Sequence, residues 1–445
     1  MQNISREFKF TQLLKFTIPT TIMMMFLSLY TIVDGAFVSR YVGTDALSAI
    51  NIVFPLLGVQ GGMSIMFATG SSAIVSKQLG EGKPILANNT FSLISIVASI
   101  VNILFAGIVL IFDDQIITLL GATETLMPMC KDYLWILFIF SPFSVFQILY
   151  QNFFVTAGKP NLGFGLTIFA GLTNIVLDYV FIAKLHLGVA GAAYATAIGY
   201  CIPAIVGIVF FIINKNGLHY KLTKFDGRSI FFTCTNGSSE MVTNISLSVI
   251  TVAFNLYMMK MLGSNGVAAV TIIFYVQFLM VALFLGFSIG VAPVFGYHYG
   301  AQNINYLKKL TKMCYIFVIV MSLVIFALSI LSASLITKIF TKDNVEVYNI
   351  AVRGMKLFAI GYLFAGINIF SSGMFTALSN GLMSAIISFM RTFVFAIISI
   401  VALTSLFDIT GLWLAIPLSE LLTTVLCSVI ICIKVKNKTI YKLKS

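Results

Sequence analysis

Residues 43–50, GTDALSAI, return 220 positions later as residues 263–270, GSNGVAAV. Working outward from that pair, the same offset aligns KQLGEGK (77–83) with YHYGAQN (297–303), Thr156-Ala157 with Thr376-Ala377, and GAAYAT (191–196) with GLWLAI (411–416). Gly43, Gly70, Gly80 and Gly191 thereby match Gly263, Gly290, Gly300 and Gly411. A single Gly or Ala match is common by chance. One register held without a gap over roughly 150 residues is not, so the chain reads as two copies of one unit.

Composition says where those copies reside. Of 445 residues, 59% are hydrophobic and 9% are charged, against about 25% charged in soluble domains. The mean hydropathy is +1.02. These values exclude a soluble globular protein, a disordered chain and a nucleic-acid-binding protein. A spanning helix needs about 20 apolar residues. Twelve such spans fit, at about 13–39, 46–76, 90–112, 130–156, 161–183, 188–213, 229–258, 268–297, 311–337, 349–377, 382–407 and 411–433. Each copy holds six. An even number gives both copies the same orientation, which places their symmetry axis along the membrane normal with a cavity between them. The expected fold is all-α: twelve transmembrane helices in two parallel six-helix bundles. Residues 1–213 form the N-lobe, 214–228 (NKNGLHYKLTKFDGR) a cytoplasmic linker, and 229–445 the C-lobe with a basic tail. The N-terminus does not resemble a cleaved signal peptide, because Lys15 precedes a span too long for a signal core and no small-residue cleavage site follows.

The formal net charge of +12 divides unevenly. The termini and the connections on their side hold 18 basic residues and three acids, the other side holds eight of each, and the spans hold Arg391 with four acids. Basic residues mark the cytoplasmic side, so both termini are expected in the cytoplasm of a plasma-membrane protein.

Charge inside hydrocarbon costs about 2.5–3.5 kcal/mol per residue on insertion scales and marks cavities and ion paths. Asp34 precedes Arg40 by six residues near the outer end of span 1, and Asp178 precedes Lys184 by six near the outer end of span 5. At 1.5 Å per residue both carboxylates sit about 9 Å below the outer boundary. Asn174 lies one turn before Asp178, on the same helix face. Two close carboxylates cannot both ionise cheaply, so the pair is expected to share a proton or, with the Asn174 carbonyl, to hold Na⁺. The competing reading is that each Asp pairs with its neighbouring base or reaches water. Arg391 in span 11 is expected to form a structural ion pair with Glu420 in span 12, leaving Glu240 in span 7 available to substrate or ion. Pro19 should bend or weaken span 1. The 41 Phe and 19 Met residues could line an adaptable apolar cavity, although packing accounts for most of them.

No cofactor is expected. The six cysteines contain no C-x-x-C pair and His186, His219 and His298 are far apart, so no metal is expected beyond a coupling Na⁺. GEGKP (80–84) lacks the spacing of a phosphate loop, so uphill transport must use an ion gradient or a separate ATPase.

Ile18-Pro19 followed by IVDGAFVSRYVGTDALSAI (32–50), NIVLDYVFI (174–182) with LGVAGAAYATAIG (187–199), and GLWLAIPLSE (411–420) together resemble the MATE (multidrug and toxic compound extrusion) family over nearly the whole chain. The N-lobe is similar to the DinF-type branch. That resemblance implies a cation-coupling site at Asp34, Asn174, Asp178 and Thr196, with Tyr30 one turn before Asp34, and a helix 1 bend at Pro19. NorM-type relatives carry C-lobe acids on helices 7 and 10. Glu240 matches the first, but span 10 here has no acid, a departure that weakens the case for a C-lobe Na⁺ site. The family activity implies a monomeric exporter, not an enzyme, that moves cationic or amphipathic organic compounds across the lipid bilayer in exchange for H⁺ or Na⁺. Alternatives are a flippase for lipid-linked oligosaccharides or other amphiphiles, which would need a basic cavity, and an intramembrane aspartyl protease using Asp34 and Asp178, whose GxGD motif is missing.

Overall fold

The computed structural model describes residues 4–215, 217–341, 344–437 and 440–441. Lys342, Asp343, Lys438, Lys442 and Lys444, which enter the charge distribution, lie outside the described residues. Among those described, nine helices are long and apolar enough to cross a bilayer, and ten with the bent pair Met127–Ile139 and Ser141–Thr156. Two of the ten are each broken once in the middle, which makes twelve spans.

The spans are α1 (Phe10–Tyr41), α2 (Thr44–Gly80), α3 (Pro84–Ile111), α4 (Met127–Ile139 and Ser141–Thr156), α5 (Pro160–Asp178, continuing as a π-helix over Tyr179–Lys184), α6 (Gly188–Ile213), α7 (227–262), α8 (264–300), α9 (Ile304–Thr341), α10 (Val345–Ala377), α11 (381–406) and α12 (409–436). Prolines at the first or second position open α3, α5 and both halves of α4, where a missing N–H costs nothing. The same residue type explains a difference from the sequence reading. Span 4, expected straight over 130–156, bends by 56° at Phe140, because Pro142 cannot donate back to Phe138 and its ring disfavours a helical residue before it. A short helix, Asp113–Leu119, follows α3 and was not expected.

The turns between spans are tighter than the hydropathy profile implied. Between α7 and α8 only Gly263 departs from helical geometry, at φ 62° and ψ −149°, a region open essentially to glycine. Its repeat mate Gly43, at φ 117°, makes the corresponding turn between α1 and α2. Between α11 and α12 the break falls at Phe407 and Asp408, where Asp408 takes φ 50°.

Core packing reveals the shape. One apolar cluster joins both lobes and includes Phe67, Phe91, Phe154, Phe287, Phe295 and Phe375. Two further clusters are confined to single lobes: one around Val38, Leu134 and Phe138, the other around Phe254, Phe358 and Trp413. The lobes therefore share a core at one end and part at the other. Twelve crossings put both chain ends on one face, here called the terminal face, and the shared core lies on that side.

The seam is made by repeat-related glycines. Gly80 rests against the Tyr297 carbonyl, and its mate Gly300 rests against the Lys77 carbonyl, Lys77 being the mate of Tyr297. Gly70 meets Thr233 and Gly237, while Gly290 meets Thr17, the mate of Gly237. The outermost glycine contact across the seam is Gly58, where an added Cβ would sit 3.7 Å from Ser248 Oγ, whereas Gly35, Gly43 and Gly263 face open space. The first described residues reinforce the closed end. Ile4 and Phe8 enter the shared core, His298 Nε2 lies 3.3 Å from the Arg6 carbonyl, Asn303 donates to Glu7 at 2.7 Å, and Tyr306 donates to the Phe8 carbonyl at 3.3 Å.

A methyl group at Gly300 has no room, and overpacking of this kind costs about 1–3 kcal/mol. Gly300→Ala is expected to lower the thermal unfolding midpoint of the purified protein. Gly107→Ala, on α3 with nothing within 4 Å of the added carbon, should not lower it.

Candidate functional site

The N-lobe site is set by how closely α1, α5 and α6 approach. Gly171 of α5 takes the Phe26 ring of α1 directly against its Cα, and Gly199 of α6 lies where an added Cβ would sit 3.6 Å from the Asn174 Cβ. These two glycines let Asp34, Asn174, Asp178 and Thr196 converge. Asp178 is fully buried, and Asn174 and Thr196 are nearly so. The Asp34 and Asp178 carboxyls lie close enough within this group to interact electrostatically. Neither pairs with the base near it in sequence: among the described residues, no ion pair involves Arg40 or Lys184 with these acids.

Several of its oxygens have no partner. Asp34 Oδ1, both Asp178 oxygens and Asn174 Oδ1 are buried without a hydrogen-bond partner. The single contact within the group is Asn174 Nδ2 to Thr196 Oγ1 at 3.5 Å, too long to count for much. Buried acceptors are almost always satisfied, and clusters that are not call for a proton, a water or a cation. Two carboxylates, an amide carbonyl and a hydroxyl are a hard-oxygen set, suited to H⁺ or Na⁺ and not to a soft metal. On the Asn174 and Thr196 side of the group, Tyr30, Asn174, Thr196 and Tyr200, with Gln147 and Thr167, line a slot of about 10 Å³, roughly what one water centre requires; neither aspartate lines it.

Three parts of this site escaped the sequence reading. Tyr133 and Tyr200 lie within electrostatic range of Asp34, and Gln147 lines the slot. Tyr200 follows Thr196 by one helical turn, and that spacing was the available signal. Tyr133 and Gln147 are brought in by the two halves of α4, whose bend no hydropathy profile shows. Asp178 also ends the α-helical part of α5, and the π-helix begins at the next residue. Such segments frequently occur at functional positions.

Pro19 lies within α1, which stays helical across it. The turn it occupies abuts the seam, where Gly286 packs on Thr20 and Thr21.

The C-lobe arrangement differs. Arg391 grips Glu420 in a forked contact, Nε to Oε1 at 2.9 Å and Nη2 to Oε1 at 2.7 Å. Asn368 of α10 donates to Glu420 Oε2 at 2.7 Å, and Ser419 donates to the Arg391 carbonyl at 2.7 Å. Arg391 sits in a second π-helix, Met390–Phe395. Glu240 lies within electrostatic range of Arg391 but forms no ion pair with it. Span 10 thus supplies an amide, Asn368, to a pair that is already neutral.

A two-lobed helical membrane protein with a partnerless carboxylate pair inside one lobe has the plan of a secondary transporter. The MatE family profile matches residues 19–180 and again 241–402, together well over half the sequence, and the chain belongs to the MatE family. The two matches begin 222 positions apart, close to the 220 of the quoted repeats. The chain is similar to the multidrug export protein MepA of Staphylococcus haemolyticus (strain JCSC1435), at 27% identity over 418 residues, 92% of this chain and 90% of that protein. Among solved structures it resembles a MATE protein in complex with MaL6, with TM-score 0.93, 19% identity and coverage of 98% of this chain and 99% of that one. It also resembles the outward-facing conformation of a multidrug resistance MATE family transporter of the MOP superfamily, with TM-score 0.88, 21% identity and coverage of 96% and 95%. These likenesses give the fold of twelve spans in two lobes.

Breaking a buried ion pair from one side costs about 3–5 kcal/mol. Arg391→Gln is expected to destabilise the protein by that order, read as a lower unfolding midpoint in detergent. Arg391→Met combined with Glu420→Leu should recover most of the loss, and a double variant no more stable than Arg391→Gln would contradict the structural reading of the pair.

Proposed function

We propose that this chain is a multidrug exporter that exchanges cationic or amphipathic organic compounds for H⁺ or Na⁺ by alternating access. It works as a monomer in the plasma membrane with both termini in the cytoplasm. The observation that carries this reading is the set of buried Asp34, Asp178 and Asn174 oxygens that have no hydrogen-bond partner, in a two-lobed molecule whose lobes share a core at the terminal face. The excess of basic residues on that face supports a cytoplasmic assignment, which makes the conformation outward-open. The export of drugs by the related MepA supports the substrate class. No cofactor takes part, and the ion gradient supplies the energy. One charge crossing 100 mV is worth about 2.3 kcal/mol.

In this reading the entering cation binds at Asp34, Asn174, Asp178 and Thr196, near Tyr30, and cancels charge that the protein leaves uncompensated. Helix α1 transmits the change. Its outer part carries Asp34, its inner part carries the Thr17, Thr20 and Thr21 contacts with Gly286 and Gly290, and Pro19 lies among these contacts, about 22 Å from Asp34 along the axis. A bend at Pro19 would move the seam contacts, expel bound drug outward and let residues 1–213 rock against 229–445 about the linker 214–228. Glu240, which lies mid-span in the C-lobe without a paired base, is available to attract a cationic substrate. A flippase for pyrophosphate-linked amphiphiles is disfavoured, because Arg391, the base that lies mid-span, is neutralised by Glu420.

The test is efflux of a cationic dye from proteoliposomes under an imposed proton or Na⁺ gradient. Asp34→Asn and Asp178→Asn should each cut gradient-driven efflux by about tenfold or more, the order expected when one of two like-charged coupling groups is removed, with dye binding retained. Coupling unchanged in both variants would sink the site. Peptide cleavage by the purified protein would revive the protease alternative.

A further inference from the structure

The connection between the lobes leaves α6 at Ile213 and enters α7 at Gly227. Its first part is fastened to the N-lobe. His219 N donates to Asn88 Oδ1 at 3.1 Å, Lys221 N donates to Ser92 Oγ at 2.9 Å, and the Tyr150 and Tyr220 hydroxyls are 2.6 Å apart. Its far end is fixed by Asp226, which caps α7 by accepting from the backbone of Arg228 and Ser229 at 3.0 and 3.3 Å.

Between these fixed points the side chains face away from the protein. Leu222 is 99% exposed and Phe225 is 81% exposed, with Lys221, Lys224 and Arg228 exposed around them. Among the described residues no acid pairs with either lysine. The height of this segment is fixed by its neighbours. Ile213 at the end of α6 and Phe231 in the opening turns of α7 are 67% and 65% exposed, so the apolar belt reaches both ends of the linker. The segment therefore runs along the rim of the hydrocarbon, on the terminal face.

Water would penalise a bare Leu and Phe, whereas a bilayer interface rewards apolar side chains set among bases. We propose that residues 221–228 form an interfacial anchor: Leu222 and Phe225 enter the leaflet on the terminal face, while Lys221, Lys224 and Arg228 bind anionic phospholipid headgroups. Charge selects this occupant. Three bases against Asp226, itself engaged by α7, complement an anionic surface. Because this segment is the covalent link between the lobes, its anchoring holds the hinge at a fixed depth and makes the hinge sensitive to the charge of the surrounding lipid. The inference concerns the linker alone and does not depend on what the protein exports.

The test places a reporter at the anchor. Full-length protein carrying Phe225→Trp and Trp135→Phe, with buried Trp413 as a constant background, is set in nanodiscs of phosphatidylcholine with or without phosphatidylglycerol. Quenching by brominated phosphatidylglycerol should exceed that by an equal amount of brominated phosphatidylcholine by at least about threefold, with little quenching by aqueous iodide. Lys221→Gln with Lys224→Gln should abolish that preference. Equal quenching by the two lipids, or iodide quenching in both nanodiscs, would overturn the anchor and leave the segment free for a soluble partner. The unsubstituted protein gives a second readout: trypsin should cut after Lys221 and Lys224 about fivefold more slowly when phosphatidylglycerol is present, and an equal rate would also overturn the proposal.

Discussion

The architecture depends on the close crossing of α2 and α8 at the terminal face. Backbone touches backbone there because Gly80 and Gly300 have no Cβ to hold the helices apart. Lipid tails are as apolar as leucine, so helices in a membrane gain little from burying oil and associate through packing and polar contacts. A seam of glycines on carbonyls maximises that packing over a short length. It concentrates the inter-lobe contact at one end and leaves the other end free to open, and the division of the core into one shared and two separate clusters follows from it.

The lobes have diverged around this common frame in their charge. The N-lobe keeps two carboxyls near each other, with no paired base and with three of their oxygens buried without a hydrogen-bond partner. The C-lobe keeps an acid and a base locked together, held further by Asn368 and Ser419. The first arrangement is unstable unless something positive is supplied and withdrawn. The second is complete without a ligand. Transport needs both kinds of behaviour: a site whose occupancy changes, and a lobe that stays rigid while the other responds.

The repeat and the span count were legible because both depend on local pattern: glycines at one offset, and apolar stretches of bilayer length. The Asp34–Asn174–Asp178 grouping was legible through one-turn spacing and equal depth, and the Arg391–Glu420 pair through proximity in sequence. The bend in α4 was not legible, because one proline after a serine does not announce an angle of 56°, and with it went Tyr133 and Gln147. The single-residue turns at Gly263 and Phe407–Asp408 were also hidden, since a hydropathy window averages over more residues than the turn contains. Nor does the sequence show that α1 stays helical through Pro19. Proline removes a hydrogen bond from a helix, and the packing around it decides whether the helix yields.

The symmetry of the seam bears on the history of the chain. Gly80 meets position 297 while Gly300 meets position 77, so each partner contacts the other with the same residues it offers in return. That is the signature of an isologous interface, the kind that joins two identical subunits about a two-fold axis. A six-helix chain bearing this surface could have paired with a second copy of itself and enclosed the same cleft. In such a dimer every substitution occurs twice, and an aspartate pair in one half is an aspartate pair in both. Fusion of the copies ended that constraint, leaving one half with its partnerless aspartates while the other took up an arginine that a symmetric site would have been forced to duplicate.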